Sequence, residues 1–487
     1  MKIFEIKEMR KSTLTLLCRS IVGVVALMST GLSAESFTID FSESRGKIKP
    51  LNGVNGGPHV LEDHVSAMIQ RHKEAGFAIT RTHDARWPTP DVVDIHTIFP
   101  LFHLDADDPK NYYFDKTDDY IAAIVNNGSD VLFRFGESIE HTTAYFIHPP
   151  SDFDKWVKIC VNILRHYNEG WADGFNYNIK HVEIWNEPSH IGPMWRGTQE
   201  QYFELYKKAS IGIKAAFPDV KISGLVDNPG RAWEKPFLEF CKSNNLPFDF
   251  YSYHIYTDNV IKLRDGAITA RKLLDSFGFT ETEIHMTEWK CSNADFKILR
   301  SRDPERFPEK AASYLKMSTG PAVSSMIGST LMILQDTPID MAYYYTADTS
   351  LWGMFDRVGN PYSSYYAFLA WREMLNTPNR VTIEGSMPSE MQQIIAGASD
   401  DEKTFSFMIS NYKGKQSEAS VILENLPLTG EATVERYLVD GTHDFELVSS
   451  STISTPNPEI KMDLAPNSLW LVKVNVTPSA ATKASDE

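Results

Sequence analysis

Two stretches of the chain end an apolar run with a glutamate beside a tryptophan. They are His181-Val-Glu-Ile-Trp-Asn-Glu-Pro188 and, later, Glu283-Ile-His-Met-Thr-Glu-Trp289. Each has the length and composition of a buried strand, and Pro188 ends the first because proline cannot donate to a sheet ladder. Glu187 and Glu288 are therefore predicted to lie at the ends of two strands. Two such carboxylates are the usual pair for cleaving a glycosidic bond, in which one protonates the leaving oxygen and the other attacks the anomeric carbon.

Other polar side chains are predicted to join this pair because side chains alternate along a strand. Arg81 and His83 share one face of an earlier apolar run, and His254 and Tyr256 share one face of a later run. A cation such as Arg81 would keep a nearby carboxylate ionised, a phenol such as Tyr256 could hydrogen-bond to it, and Asn186 could hold a sugar hydroxyl. The alternatives are polar residues satisfied within the core and, for the glutamates, a structural ion pair or a helix cap.

The remaining acidic and histidine residues give weaker indications. Glu137 and Glu140 follow the third apolar run and could line the cleft or lie on the surface. The acidic run Asp105–Asp108 lacks the glycine and the distal glutamate of a calcium-binding loop. The histidines show no metal-ligand spacing such as His-Glu-x-x-His. The sequence therefore predicts no catalytic metal and no cofactor.

The predicted strands alternate with helix-like segments from residue 51 onward. The eight apolar runs are 51–55, 78–83, 131–136, 181–187, 220–226, 248–256, 283–288 and 341–346, and amphipathic segments include 61–75, 118–126, 152–167, 199–216, 233–242 and 268–277. Eight such units predict a parallel (β/α)8 barrel, a TIM barrel, with its active site at the C-terminal ends of the strands. An open doubly wound sheet is the competing fold, but no glycine-rich phosphate loop follows the first strand.

The length of 487 residues allows a barrel, predicted over 51–376, and a second domain. Short alternating runs after the barrel predict a C-terminal β-sandwich over 377–475. The segment 35–50 contains a strand that precedes the barrel and is expected to join this sandwich. The small, polar segment 476–487 is expected to be a disordered tail.

Residues 1–34 have the pattern of a secretory signal, with basic residues, then an apolar stretch too short to span a bilayer, then small residues. We therefore expect a periplasmic or extracellular protein; an uncleaved anchor is the alternative. Without this segment the formal charge falls from −16 to −19, which argues against nucleic acid or an anionic membrane surface as a partner. Three cysteines would remain, too few for a disulfide scaffold.

Four motifs taken together resemble glycoside hydrolase family 39, the β-xylosidase and α-L-iduronidase family of clan A. They are Arg81-Thr-His83, Trp185-Asn-Glu-Pro188, Tyr253-His-Ile-Tyr256 and Thr287-Glu-Trp289. The resemblance runs from about Leu51 to Leu375 and extends to the C-terminal sandwich. Asn-Glu-Pro alone is shared across the clan, and the ordered combination is more specific.

The resemblance implies that Glu187 is the acid/base and Glu288 the nucleophile. It implies that Asn186 holds the sugar 2-hydroxyl and that the first subsite also contains His83, His254 and Tyr256. Arg81, Trp185, Trp289 and Lys290 complete the predicted carbohydrate-binding set.

Two departures lie at the cleft, since family xylosidases tend to have glycine where this chain has Asp84 and asparagine where it has Lys290. Lys290 could pair with a uronate or sulfate of the substrate, or it could be neutralised by Asp84.

The predicted activity is retaining hydrolysis of glycosidic bonds in a plant, algal or microbial polysaccharide or its oligosaccharides. An endo-acting hydrolase or a transglycosidase would use the same two glutamates. A barrel that only binds carbohydrate is a third reading, and the presence of both glutamates favours an enzyme over it. The sugar, the linkage and the oligomeric state are left open by the sequence.

Overall fold

The computed structural model describes residues 34–59, 66–85, 89, 91–140, 144–293, 307–350, 352–428 and 430–476. Within these ranges the chain forms a parallel barrel and a separate C-terminal sheet. Residues 1–33 of the predicted signal and residues 477–487 of the predicted tail lie outside the described ranges, and Val476 is the last residue of a strand. No helix within these ranges is long and apolar enough to cross a bilayer.

The barrel confirms the predicted fold class. Strand β1 (Ala34–Lys47) precedes it, and its own strands are β2 (Gly53–Asn55), β3 (Ile79–Arg81), β4 (Asp130–Phe135), β5 (His181–Ile184), β6 (Lys221–Gly224), β7 (Phe250–Tyr256), β8 (Glu283–Lys290) and β9 (Met341–Tyr344). All pairings are parallel, in the order β6-β5-β4-β3-β2-β9-β8-β7.

The barrel closes between β6 and β7 through a few backbone contacts. The Asp249 amide donates to the Ile222 carbonyl oxygen at 2.9 Å, and the His254 amide donates to the Asp227 carbonyl oxygen at 3.1 Å. This seam lies beside the predicted active site, because His254, one of the predicted site residues, forms part of it.

The six predicted amphipathic segments all overlap helices, and the barrel is covered by ten helices within the described ranges. They are α1 (Ser66–Ala75), α2 (Ile95–Ile98), α3 (Asp115–Asn126), α4 (Phe153–Glu169), α5 (Gln199–Ala216), α6 (Glu234–Ser243), α7 (Val260–Phe277), α8 (Phe307–Thr319), α9 (Pro321–Ile333) and α10 (Ser363–Met374). Their ends have local causes. The Asp152 side chain caps α4 by accepting from the Lys155 amide, and Thr198 and Gln201 form a reciprocal capping box at the start of α5.

Nine strands form the C-terminal sheet, in the order β15-β14-β17-β12-β11-β10-β1-β13-β16. Besides β1, they are β10 (Asn379–Glu384), β11 (Gln393–Ala398), β12 (Thr404–Ser410), β13 (Ser417–Glu424), β14 (Ala432–Val439), β15 (Asp444–Ile453), β16 (Glu459–Leu464) and β17 (Leu469–Val476). Phe41 on β1 and Phe405 on β12 have ring centroids 4.9 Å apart although two strands separate them in the sheet. The sheet therefore folds over on itself and encloses a core between its halves.

Helix α9 joins the two bodies. Its residues from Val323 to Ile333 are all buried, as expected for a helix that is apolar on every side. Ser410 of β12 donates its hydroxyl to the Ser325 carbonyl oxygen at 2.6 Å, and the Ser329 hydroxyl lies 2.9 Å from that of Ser410. The C-terminal sheet is thus fixed against the barrel by buried contacts.

The interior position of β1 gives a test of the sheet. Ile39→Ala is expected to lower the free energy of unfolding by about 2 to 5 kcal/mol, because Ile39 is fully buried and its truncation leaves a cavity. The control is Thr38→Ala, at the half-buried neighbour whose side chain points to the other face. Denaturant titrations followed by circular dichroism compare the two variants. Equal losses of unfolding free energy in the two variants would contradict the interior position of β1 in the sheet.

Candidate active site

The predicted polar residues converge at the C-terminal ends of four barrel strands. Arg81 is the last residue of β3, Glu187 follows β5, His254 and Tyr256 lie on β7, and Glu288 lies on β8. Most residues of these strands are buried. Because the barrel strands are parallel, their C-terminal ends meet at one face of the barrel. The structure therefore brings together the two glutamates and most of their predicted neighbours.

Arg81 is the centre of the site. Its guanidinium donates to Glu183 Oε2 at 2.6 Å, Glu288 Oε1 at 2.8 Å, Asn186 Oδ1 at 2.7 Å and Asn55 Oδ1 at 3.0 Å. Arg81 and Glu183 are fully buried. Burial opposes the charge, but the two carboxylates outweigh it and raise the pKa of Arg81, so the guanidinium stays charged. Its rigid fork thus fixes Glu288 and Asn186 relative to each other.

Glu288 is held as a carboxylate that accepts from fixed donors. In addition to Arg81, the Tyr256 hydroxyl donates to Glu288 Oε2, and His254 Nδ1 lies 3.4 Å from the same oxygen. Burial and, to a smaller extent, the charge of Glu187 raise the pKa of Glu288, while His254, Arg81 and Tyr256 oppose this shift. The result is a nearly buried carboxylate, 4% exposed, with its oxygens oriented by two hydrogen bonds.

Glu187 shares a hydrogen bond with His254. The distance from Glu187 Oε1 to His254 Nδ1 is 2.7 Å, and the Asn228 side-chain amide lies 3.5 Å from the same oxygen. Burial raises the pKa of Glu187, but the hydrogen bond from His254 and the electrostatic effects of His254, His190 and Arg81 together bring this pKa below its ordinary value. Glu187 is 8% exposed and lies at the opening of the site.

His254 lies between the two glutamates. Its Nδ1 and one carboxylate oxygen each of Glu187 and Glu288 all lie within 4.8 Å of one another. Burial lowers the pKa of His254, but the charges of Glu288 and Glu187 and the Glu187 hydrogen bond outweigh it and raise this pKa above its ordinary value. The imidazole is therefore placed to hold a proton between the two carboxylates.

His83 lies on the other side of Glu288. Its Nε2 is 3.8 Å from Glu288 Oε1 and 3.5 Å from Asp84 Oδ2, and the residue is nearly buried. The Asp84 carboxylate also accepts from the Tyr345 hydroxyl at 3.1 Å. His83 is thus placed beside the nucleophile candidate, at the position that the sequence predicts.

Trp185 lies just beyond the regular part of strand β5. Strand β5 ends at Ile184, before the expected end at residue 187, and Trp185 has a φ of 69°, in the left-handed region. Its indole NH donates to the Met194 carbonyl oxygen at 2.6 Å, and its ring packs against Trp195. A Cβ on Gly136 would lie 2.7 Å from the Trp185 ring, so glycine is needed there. The prediction that Trp185 contacts sugar is corrected: it is buried and anchors the loop that follows Glu187.

Trp289 is also corrected. Side chains alternate along β8, so when Glu288 faces the barrel interior, Trp289 faces outward. It is fully buried, with its ring edge-to-face against Tyr344 at a centroid distance of 5.1 Å. Its indole nitrogen has no hydrogen-bond partner among the described residues. Trp289 therefore supports β8 from behind and does not line the cleft.

Lys290 bonds to the loop that follows β9 and forms no ion pair with Glu187 or Glu288. Its ammonium donates to the Trp352 carbonyl oxygen and lies 5.0 Å from the centre of the Tyr344 ring. Burial lowers the pKa of Lys290 to about 8. The alternative in which Asp84 neutralises Lys290 is therefore wrong, because the ammonium is held by the loop after β9, while Asp84 accepts from Tyr345.

Several site residues were not predicted. Glu183 has the same parity as Glu187 and could have been found from that alternation, and Asn55 ends the first barrel strand. Asp227 and Asn228 follow β6, and His190 follows Glu187 by three residues. No sequence pattern indicates Asp227, Asn228 or His190 as site residues, because their positions depend on contacts between the loop after β5 and the loop after β6.

Glu137 and Glu140 lie on the loop after β4. Glu137 pairs with His96. Burial raises the pKa of Glu137 to about 7 despite this contact. Glu140 accepts from the amides of Phe146 and Ile147 at 3.1 and 3.2 Å. Glu140 therefore organises its own loop, and Glu137 belongs to a separate buried pair.

Three groups of the described residues bring histidine and carboxylate ligand atoms within 4.8 Å: Glu187, His254 and Glu288; Asp94, His96 and Glu137; and His181, Glu283 and His285. In the first group both oxygens of Glu288 already accept hydrogen bonds, one from Arg81 and the other from Tyr256. A divalent cation there would face the charged guanidinium of Arg81 at close range. Because of this repulsion, Glu187, His254 and Glu288 are better suited to hold a proton than a metal ion.

Comparison with known proteins agrees with this geometry. Residues 53–299, just over half of the chain, match the sequence profile of glycosyl hydrolases family 39. The β-xylosidase of Caldicellulosiruptor saccharolyticus is 25% identical over 447 residues, which cover 82% of this chain and 84% of that protein.

Solved structures share the fold. A glucosidase from Croceicoccus marinus superposes with a TM-score of 0.80 at 21% identity, covering 92% of this chain and 100% of the other. A monomeric β-xylosidase from Caulobacter crescentus gives a TM-score of 0.70 at 14% identity, covering 91% and 100%. With its matching sequence profile and its barrel, this chain belongs to glycosyl hydrolases family 39 and is a glycosidase.

Proposed function

We propose that the protein hydrolyses glycosidic bonds with retention of anomeric configuration, with Glu288 as the nucleophile and Glu187 as the acid/base. The observation that supports this most directly is the pair of buried carboxylates at the ends of β5 and β8, with oxygens no more than 4.8 Å apart. Retaining enzymes hold their two carboxyl groups about 5 to 5.5 Å apart, and inverting enzymes about 6.5 to 9.5 Å apart to admit a water. The short separation favours double displacement.

Glu288 is suited to attack the anomeric carbon. Arg81 cannot accept a proton, and Tyr256 directs its hydroxyl at the other oxygen, so both partners stabilise the carboxylate. In the first step a Glu288 oxygen forms a bond to the anomeric carbon while the bond to the leaving oxygen breaks. The negative charge of Glu288 is then lost in the ester.

Glu187 delivers the proton that the leaving oxygen needs. The Glu187–His254 pair shares a proton across 2.7 Å, and Glu187 is the member of the pair nearer the opening. A proton that leaves Glu187 for the substrate can be replaced from His254 through this hydrogen bond. The pair thus acts as one acid.

The second step reverses these roles. Water attacks the anomeric carbon and gives its proton to Glu187, and Glu288 leaves as a carboxylate. When Glu288 is an ester, its charge no longer opposes ionisation of Glu187, so the pKa of Glu187 is lower in this step. Asn186, fixed by Arg81, is positioned to hold the sugar 2-hydroxyl in both steps.

The substrate is a neutral sugar. Lys290 is the basic residue that could have read a uronate carboxylate beside the nucleophile, and it is 1% exposed with its ammonium bonded to Trp352. Asp84, near His83, adds a carboxylate to this side of the cleft. The relatives named a β-xylosidase and a glucosidase agree with a neutral pentose or hexose.

The proposed setting is outside the cytoplasm. The basic, apolar and small-residue pattern of residues 1–34 supports export to the periplasm or beyond. The substrate pool there consists of polysaccharides and their oligosaccharides from plants, algae or microbes. Processing of the N-terminus by a signal peptidase, seen by mass spectrometry of the secreted protein, is the direct test.

Substitution of the two glutamates separates their roles. Glu288→Ala is expected to abolish turnover of every substrate, while Glu187→Ala should spare glycosides with good leaving groups, which need no proton in the first step. Rates on dinitrophenyl and alkyl glycosides test this contrast. Azide should rescue Glu187→Ala and give the glycosyl azide with retained configuration. An inverted azide from this variant would require the assignments to be exchanged.

The first-formed product reports the stereochemistry. Proton NMR of a fresh reaction is expected to show the anomer with the configuration of the substrate before mutarotation. The control is the same sugar left to equilibrate without enzyme. The inverted anomer appearing first would exclude double displacement.

The Lys290→Met variant tests the charge of the sugar. The ratio of kcat/KM on matched neutral and uronic glycosides is expected to stay the same as in the wild type, because the ammonium is buried and bonded to the Trp352 carbonyl oxygen. Lys272→Met, at an exposed position on α7, is the control for a change in overall charge. A selective loss of the uronic activity in Lys290→Met alone would show that Lys290 reads an anionic sugar.

A further inference from the structure

A second histidine approaches Glu187 from the side opposite His254. His190 lies on the loop after β5, and its Nδ1 is 3.6 Å from Glu187 Oε2, whereas His254 bonds to Oε1. The His190 side chain is 23% exposed, so it stands between the catalytic carboxylate and solvent. The 3.6 Å separation is longer than a hydrogen bond, and the interaction between these atoms is electrostatic.

The other nitrogen of His190 identifies its tautomer. Arg231 NH2 contacts His190 Nε2 within hydrogen-bond distance. A guanidinium can only donate, so Nε2 must offer its lone pair to Arg231. In the neutral imidazole the hydrogen is then on Nδ1, the nitrogen that faces Glu187.

Asp227 holds this arrangement in place. Asp227 is 5% exposed. Its carboxylate accepts from the Ser189 hydroxyl and, at 2.7 Å, from the backbone amide of Asn228. Asp227 Oδ1 also lies 3.6 Å from Arg231 Nε and 3.6 Å from His190 Nε2. The carboxylate therefore neutralises Arg231 and joins the loop after β6 to the loop that contains His190.

We propose that His190 is a positioning residue for the acid/base, and that Arg231 fixes its tautomer so that the Nδ1–H dipole stabilises the carboxylate form of Glu187. This inference rests on the proposed role of Glu187. The charged or titratable groups that face Glu187 are His190 from its own loop, Asp227 from the loop after β6, Arg81 from β3, His254 from β7 and Glu288 from β8.

The consequence for the reaction is specific to the second step. Glu187 must then be a carboxylate in order to accept a proton from water, and a donor on its open side favours that form. Without His190 the ionised form of Glu187 is less favoured, so hydrolysis of the glycosyl enzyme is expected to slow. For the same reason Glu187 keeps its proton, and can act as the acid of the first step, to a higher pH.

The pH profile of kcat/KM tests the proposal. Its alkaline limb reports loss of the acid/base proton in the free enzyme. In His190→Leu this limb is expected to move up by roughly 0.5 to 1 pH unit, because a group that lowers the pKa of Glu187 is gone. His190→Asn should restore the wild-type limb, since the asparagine amide places a donor near the position of Nδ1.

Arg231→Met is the second variant. It keeps His190 but frees its tautomer, so the limb is expected to move in the same direction by a smaller amount. Arg264→Met is the matched control, because this arginine lies on α7 and pairs with the exposed Glu390. Thermal unfolding of each variant checks that the fold is retained, and if His190→Leu does not fold, Arg231→Met and His190→Asn decide the question.

An unchanged limb in His190→Leu, or in Arg231→Met where the first variant does not fold, would overturn the proposal. So would an activity loss that is uniform across pH and is not rescued by asparagine. Failure of the underlying function would look different. Glu187→Gln would then retain full activity on alkyl glycosides, whatever the profile of the His190 variants.

Discussion

The site depends on a buried guanidinium that is shared by several acceptors. Arg81 bonds to Glu183 and Glu288 in a region with almost no solvent, and among the described residues a third carboxylate, Glu187, lies within reach of its charge. One arginine does not balance three carboxylates, and an uncompensated buried charge is strongly destabilising. The shortage of positive charge favours a retained proton, and His254, between Glu187 and Glu288, is the group placed to hold it.

The seam at which the barrel closes lies beside Glu187 and His254. The closure of β6 against β7 includes the bond from the His254 amide to the Asp227 carbonyl oxygen. Asp227 and its neighbour Asn228 then face Glu187 from the loop after β6. The C-terminal sheet adds to the same region, since the Tyr412 hydroxyl donates to the Asp258 carbonyl oxygen at 2.7 Å, two residues beyond Tyr256. This contact fixes the loop that follows Tyr256, the hydrogen-bond partner of Glu288.

Sequence alternation predicted the part of this site that lies on regular strands. Arg81, Glu288, His254 and Tyr256 all lie on strands whose parity could be counted, and the eight barrel strands could be predicted because each is a continuous apolar run. Alternation failed at Trp185, where the backbone turns left-handed.

The other errors also have physical causes. Lys290 ends β8, and its long side chain is directed by a carbonyl group of the distant loop after β9. Contacts between loops, such as those of His190 and Asp227, depend on tertiary structure and leave no local pattern.

The same ion network serves both steps of the proposed double displacement. Before the first step, the carboxylates outnumber the cations, so the Glu187–His254 pair keeps a proton and can act as an acid. Ester formation removes the charge of Glu288, and the imbalance around Arg81 falls by one unit. Glu187 can then ionise at lower cost, at the stage where it must accept a proton from water. The alternation of roles therefore follows from charge balance around a fixed Arg81, and the carboxylates do not need to move between the two steps.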